Sequence, residues 1–137
     1  MAVKYWAFIS YSHTDQRWAE WLHRSLETYR IPRSLVGKET ALGKVPARVY
    51  PIFRDRDELR ASADLGSNIK EGLAESRSLI VICSPTAVSR PWVSEEIKDF
   101  KRLGRENSIL ALIVDGEPNT NGPNECFPAA LRFRLGT

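Results

Sequence analysis

Cysteine is scarce in this sequence, with Cys83 and Cys126 the only two in 137 residues. Two isolated thiols make no disulfide framework and favour a reducing, cytoplasmic compartment. The two histidines, His13 and His23, show no metal-ligand spacing with them, which argues against a structural zinc. Long apolar runs are missing as well. The longest, residues 109–114, is far short of the roughly 20 residues a spanning helix needs, and no signal-peptide core precedes it, so no membrane partner is expected. No G-x-G-x-x-G, G-x-x-x-x-G-K-[ST] or G-x-S-x-G occurs, which excludes a Rossmann cradle, a P-loop and a nucleophile elbow. Net charge is small at +3 and is unevenly spread. Residues 30–60 hold eight Lys/Arg against four Asp/Glu, whereas the remainder holds twelve against thirteen. The basicity is therefore one segment. It lacks a cationic stripe interleaved with aromatics, so no nucleic-acid partner is expected.

What is present suits a globular fold. A hydrophobic fraction of 42% over this length allows one domain, residues 1–137, with a core of its own. Residues 4–10 read as a first strand. Trp18, Trp21, Leu22, Leu26 and Tyr29 then recur at helical spacing, with Thr14 or Asp15 as N-cap and Pro32 as the stop. Residues 30–47 show no period and read as a long basic loop. A second strand over 48–53 carries an internal Pro51, which suits an edge. Leu65, Ile69 and Leu73 mark a short helix capped by Asp64. The uninterrupted runs 79–83 and 109–114 read as central strands covered on both faces, with a helix over 91–103 between them. Residues 115–128 are loop, and 131–135 alternate as a fifth strand. This alternation predicts an α/β fold, a doubly wound parallel sheet of about five strands with its site at their carboxyl ends. An acidic pair after the first strand, which a phosphoacceptor receiver needs, is replaced by Ser10-Tyr11-Ser12.

The helix over 91–103 carries the chemical signal. At about 100° per residue, Trp92, Val93, Ile97, Phe100 and Leu103 share one apolar arc, with Ser89 as N-cap. Glu96 falls inside that arc. An inward carboxylate is costly unless it is paired, protonated or lining a cleft. The periodicity alone also allows a solvated rim position or a pair with an arginine. Trp92 lies one turn earlier on the same side, as core or as a stacking wall for a planar ring.

In order along the chain, Tyr5-Trp6-Ala7-Phe8-Ile9-Ser10-Tyr11-Ser12, Phe53-Arg54-Asp55-Arg56-Asp57-Glu58-Leu59, Cys83-Ser84-Pro85 and Trp92-Val93-Ser94-Glu95-Glu96-Ile97 resemble the successive boxes of a Toll/interleukin receptor (TIR) domain, closest to the bacterial effector type. The resemblance implies a flavodoxin-like sheet of order 2-1-3-4-5. It also implies cleavage of the nicotinamide–ribose bond of NAD⁺, with no cofactor beyond that substrate. Glu96 matches the family's catalytic glutamate. Trp92, Ser12, His13, Ser84 and Arg60 fall where relatives contact substrate, and Asp55, Arg56, Asp57, Glu58 and Leu59 fall on the loop that mediates assembly. Implied partners are NAD⁺, other copies of the same domain and a sensor domain in a full-length protein, in bacterial defence signalling. The other class of function open to the family is a non-catalytic assembly module. Trp6 stands where relatives carry an acid, and the loop Leu59-Arg60-Ala61-Ser62-Ala63 lacks the Pro-Gly of receptor-type members. The chain stops at Thr137, where relatives continue into a last helix, so it reads as one helix short. The basic segment is expected to lie beside the nucleotide cleft.

Overall fold

The computed structural model describes residues 4–40, 43–54 and 63–132. Strand β1 (Tyr5–Ser10) leads through a 3₁₀ turn (His13–Asp15) into α1 (Gln16–Thr28), and a small hairpin, β2 (Glu39–Thr40) and β3 (Gly43–Lys44), follows. Then come β4 (Ile52–Arg54), α2 (Ala63–Ala74), β5 (Ser76–Cys83), the single turn α3 (Pro85–Val88), α4 (Pro91–Arg102) and β6 (Ile109–Ile113). A 3₁₀ turn at Ala129–Arg132 is the last described element. The main sheet has the order β4-β1-β5-β6 and every pair in it is parallel. This is the expected α/β architecture.

Strand alternation explains the two cores. In β1, Phe8 faces the side where α2 and α4 pack, with Leu79, Val81 and Cys83 of β5 beside it and Leu73, Val93, Ile97 and Phe100 above. Ala7 and Ile9 face the other side, against Ala19 of α1 and Ile82. Both faces are covered, so the strands read as unbroken apolar runs. Gly72 lets α2 approach closely: a Cβ there would meet the Phe53 ring at 2.9 Å, and that ring stacks on Phe8 at 5.0 Å between centroids.

Several expectations are corrected. Among the described residues the run 109–114 is not central. Among the described residues β6 is the sheet's edge, and Leu110 and Ile113 stay 58% and 46% exposed because nothing described covers them. No strand forms at 131–132. The Leu131 N–H donates to the Pro128 carbonyl to close a 3₁₀ turn, which Lys101 Nζ anchors by donating to the Ala130 carbonyl at 2.5 Å. The rest of that expected strand, 133–135, lies outside the described residues. Strand β5 begins at Ser76, earlier than its apolar run, because Ser76 and Ser78 pair with Tyr5 and Ala7.

The segment 30–47 is not an irregular loop. Arg30 pairs with Arg48 in an antiparallel bridge, the Ile31 N–H donates to the Ala47 carbonyl at 2.9 Å, and Gly37 and Val45 continue the ladder into β2 and β3. Nor does it flank the carboxyl ends of the strands. Helix α1 leaves the end of β1 and runs back for about 20 Å, and its Glu27 carboxylate accepts from the Ile52 N–H at the start of β4. The basic hairpin thus sits at the amino edge of the sheet. Among the described residues no helix is long and apolar enough to cross a membrane.

Candidate active site

Ser10 ends β1 with the same parity as Phe8, so its side chain points toward α4. Glu96 meets it there: Ser10 Oγ donates to Glu96 Oε1 at 2.7 Å, with Ser10 fully buried and Glu96 3% exposed. The solvated-rim alternative for Glu96 is thereby excluded. Its helical arc is otherwise as expected, since Val93, Ile97 and Phe100 are fully buried, except that Leu103 caps the helix and is exposed. Trp92 is half-buried. Its Nε1 donates to the Tyr11 carbonyl at 3.2 Å, tying α4 to the strand end, and the Arg90 guanidinium lies 5.8 Å from its ring.

Glu96 is at the floor of a cleft of about 630 Å³ between α2 and α4. Ile69, Leu73, Pro91 and Trp92 give it an apolar wall. Lys70 and Arg102 stand on its rim with Glu95 and Asp99, and Arg102 donates to Asp99 at 2.9 Å. A carboxylate beneath an aromatic wall in a cleft of this size suits a ring-bearing, partly cationic small molecule.

Other residues singled out in the sequence are placed differently. Ser84 is buried and occupied twice: its Oγ donates to Asp15 at 2.5 Å and accepts from the Ala87 N–H at 3.1 Å, capping α3. Asp15 stands at the N-cap position of α1 but makes no side-chain cap there, because its carboxylate is turned to Ser84. Ser12 is buried and caps the first 3₁₀ turn by accepting from the Thr14 N–H at 3.2 Å. His13 is exposed on that turn. Ser89 is not the cap of α4. It closes α3, with its Oγ donating to the Thr86 carbonyl at 2.7 Å, and Arg90 takes the N-cap position. Arg60 and the loop residues Asp55, Arg56, Asp57, Glu58 and Leu59 lie outside the described residues.

Sequence reasoning missed Ser10 as the partner of Glu96, although the β1 alternation contained the signal. It also missed Glu125, whose carboxylate accepts from the N–H groups of Asn119, Asn121 and Phe127 and organises the loop after β6. Burial opposes its ionisation, yet these donors and Arg132 hold its pKa below the usual carboxylate range. Both cysteines are free and buried. Burial, then the neighbouring Cys126 and Asp15, push the Cys83 thiol up to about 12, so it is no nucleophile at neutral pH.

The TIR domain profile matches residues 7–133. The chain belongs to the TIR family. This TIR domain is 31% identical over 120 residues to a protein named NAD(+) hydrolase ApTIR from Actinoplanes sp., a match covering 84% of this chain and 15% of that one. The TIR domain thus spans a small part of its relative's length. Among solved structures it resembles the TIR domains of the activated Roq1 resistosome, with a TM-score of 0.50 and 20% identity over 80% of this chain and 56% of that one. That likeness concerns the fold.

Proposed function

We propose that the chain cleaves NAD⁺ at the nicotinamide–ribose bond, with Glu96 as the catalytic carboxylate. The observation that carries this reading is the Glu96 carboxylate at the floor of the α2–α4 cleft, one helical turn from Trp92. The 31% identity to a protein named as an NAD(+) hydrolase adds to it. The C1′–N bond breaks with its electron pair going to the pyridinium nitrogen, so nicotinamide leaves neutral and needs no general acid. The two carboxylates of ordinary glycosidases then reduce to one. Glu96, itself 3% exposed, offsets the oxocarbenium-like charge from the buried floor of the cleft, where such stabilisation is stronger than in bulk water. Water adds at C1′ and loses a proton to give ADP-ribose, or a ring nitrogen of the adenine adds to give a cyclic isomer. Trp92 walls the planar ring, and Lys70 on the rim offers a cation to the pyrophosphate.

Activation by self-association with other copies, under a sensor domain in bacterial defence, belongs to the same reading. Trp18 and Trp21, 47% and 55% exposed and packed edge to face, supply apolar surface of the kind that supports such contact. The test is nicotinamide release by concentrated, assembled protein. Glu96→Gln and Glu96→Ala should each lose about 10²–10³-fold in kcat, the usual size of one transition-state electrostatic contact. Undiminished turnover in both variants removes Glu96 from the mechanism. A wild-type protein that assembles yet releases no nicotinamide is instead a non-catalytic assembly module.

A further inference from the structure

A second cleft, of about 550 Å³, opens in the basic hairpin, at the far edge of the sheet from Glu96. Arg30, Arg33 and Arg48 line it together with Ile31, Val36 and Ala47. The local charge is high. Residues 30–48 carry five Lys/Arg and one acid, Glu39, which stands across from Lys44 on the hairpin and away from the arginine bridge. None of the ion pairs among the described residues involves Arg30, Arg33 or Arg48.

Three guanidinium groups lining one cleft repel one another, and folding gains nothing from leaving them unmatched. The negative end of the α1 dipole favours a cation at Arg30, just past the helix terminus. It does not reach Arg33 and Arg48, which are brought in by the Arg30–Arg48 bridge and the Ile31–Ala47 hydrogen bond. The hairpin ladder holds the backbone of Arg30 beside that of Arg48, so a ligand gathers the forks at a smaller ordering cost than on a flexible loop. Arginine forks match phosphate oxygens bidentately. The apolar lining residues Ile31, Val36 and Ala47 ask for a ligand that also has an uncharged body.

We infer that this cleft binds a nucleoside diphosphate, its phosphates on Arg30, Arg33 and Arg48 and its base against the apolar lining residues. An open cleft of this volume accommodates one such molecule, whereas a nucleic acid strand needs a longer cationic groove. The site is separate from the Glu96 cleft and does not depend on NAD⁺ being cleaved.

The test is calorimetric titration of ADP into the chain at about 0.15 M salt, where long-range surface attraction is screened. ADP should bind one to one. Arg30→Gln/Arg48→Gln should weaken it at least about tenfold, as loss of charge-assisted phosphate contacts requires, while its circular dichroism spectrum stays native because both side chains are exposed. Glu96→Gln should bind ADP as the wild type does, which keeps the result independent of the catalytic reading. Absence of binding, or binding indifferent to the arginine pair, overturns the inference. So does inorganic pyrophosphate binding as tightly as ADP, or an oligodeoxythymidylate outcompeting it.

Discussion

Replacing Ser10 by alanine deletes one oxygen, and its cost follows from where that oxygen sits. The Ser10 hydroxyl is fully buried and donates at 2.7 Å to a carboxylate that is 3% exposed. The space vacated is smaller than a water molecule needs, so solvent cannot restore the bond. A hydrogen bond to a charged group contributes about 1.5–3 kcal/mol, and Ser10→Ala should cost that much. For a chain of this length the unfolding entropy makes it a fall of roughly 5–10 °C in Tm. Urea unfolding followed by circular dichroism measures it directly. The attribution is tested by a cycle with Glu96→Gln, which keeps the shape and an acceptor oxygen but removes the charge. There the serine is worth only about 0.5–1.5 kcal/mol, leaving a coupling of roughly 1–1.5 kcal/mol. A coupling indistinguishable from zero would show that the serine does not hold the carboxylate as a charged partner, and the account of the cleft floor would fail.

Gly72→Ala should destabilise by about 1–3 kcal/mol, because its Cβ would meet the Phe53 ring at 2.9 Å and α2 must lift from the sheet. A Tm unchanged from wild type would contradict that close approach. Alkaline pH should weaken the fold through Cys83. Its pKa is 9.0 ordinarily and about 12 when buried, so the neutral thiol's contribution is intact below pH 9 and declines as the unfolded chain releases its proton first. The slope is at most about 1.4 kcal/mol per pH unit for this one group. The stability gap between wild type and Cys83→Ala should therefore narrow from pH 9 upward, and a constant gap refutes the assignment.

How much was legible beforehand depended on the range of the interaction. Helical periodicity, a local property of residues 92–103, sets Glu96 within the apolar arc of α4 but does not by itself separate a buried position from a rim, and the buried runs of β1 and β5 follow from their unbroken apolar character. The parallel sheet follows from the alternation of elements and the handedness of crossovers, whereas the order of its strands came only with the resemblance to the TIR family. Cap assignments failed where a distant partner competed. Asp15 looks like a helix cap until Ser84, 69 residues away, takes its carboxylate. The hairpin over 30–48 was invisible because two arginines pairing across a bridge leave no periodic trace.

The amino-acid sequence by itself determined the α/β architecture and the parallel sheet and singled out Glu96 among the acidic residues of α4, since these are written in short-range periodicity and box order. Only the tertiary structure decided what surrounds that carboxylate: Ser10 beneath it, Trp92 tied to the strand end, a cleft above. It alone showed that Arg30, Arg33 and Arg48 converge at the amino edge of the sheet, away from Glu96. Side chains far apart in the chain meet only when strands register and helices dock, and the burial that sets their energetics does not exist until then.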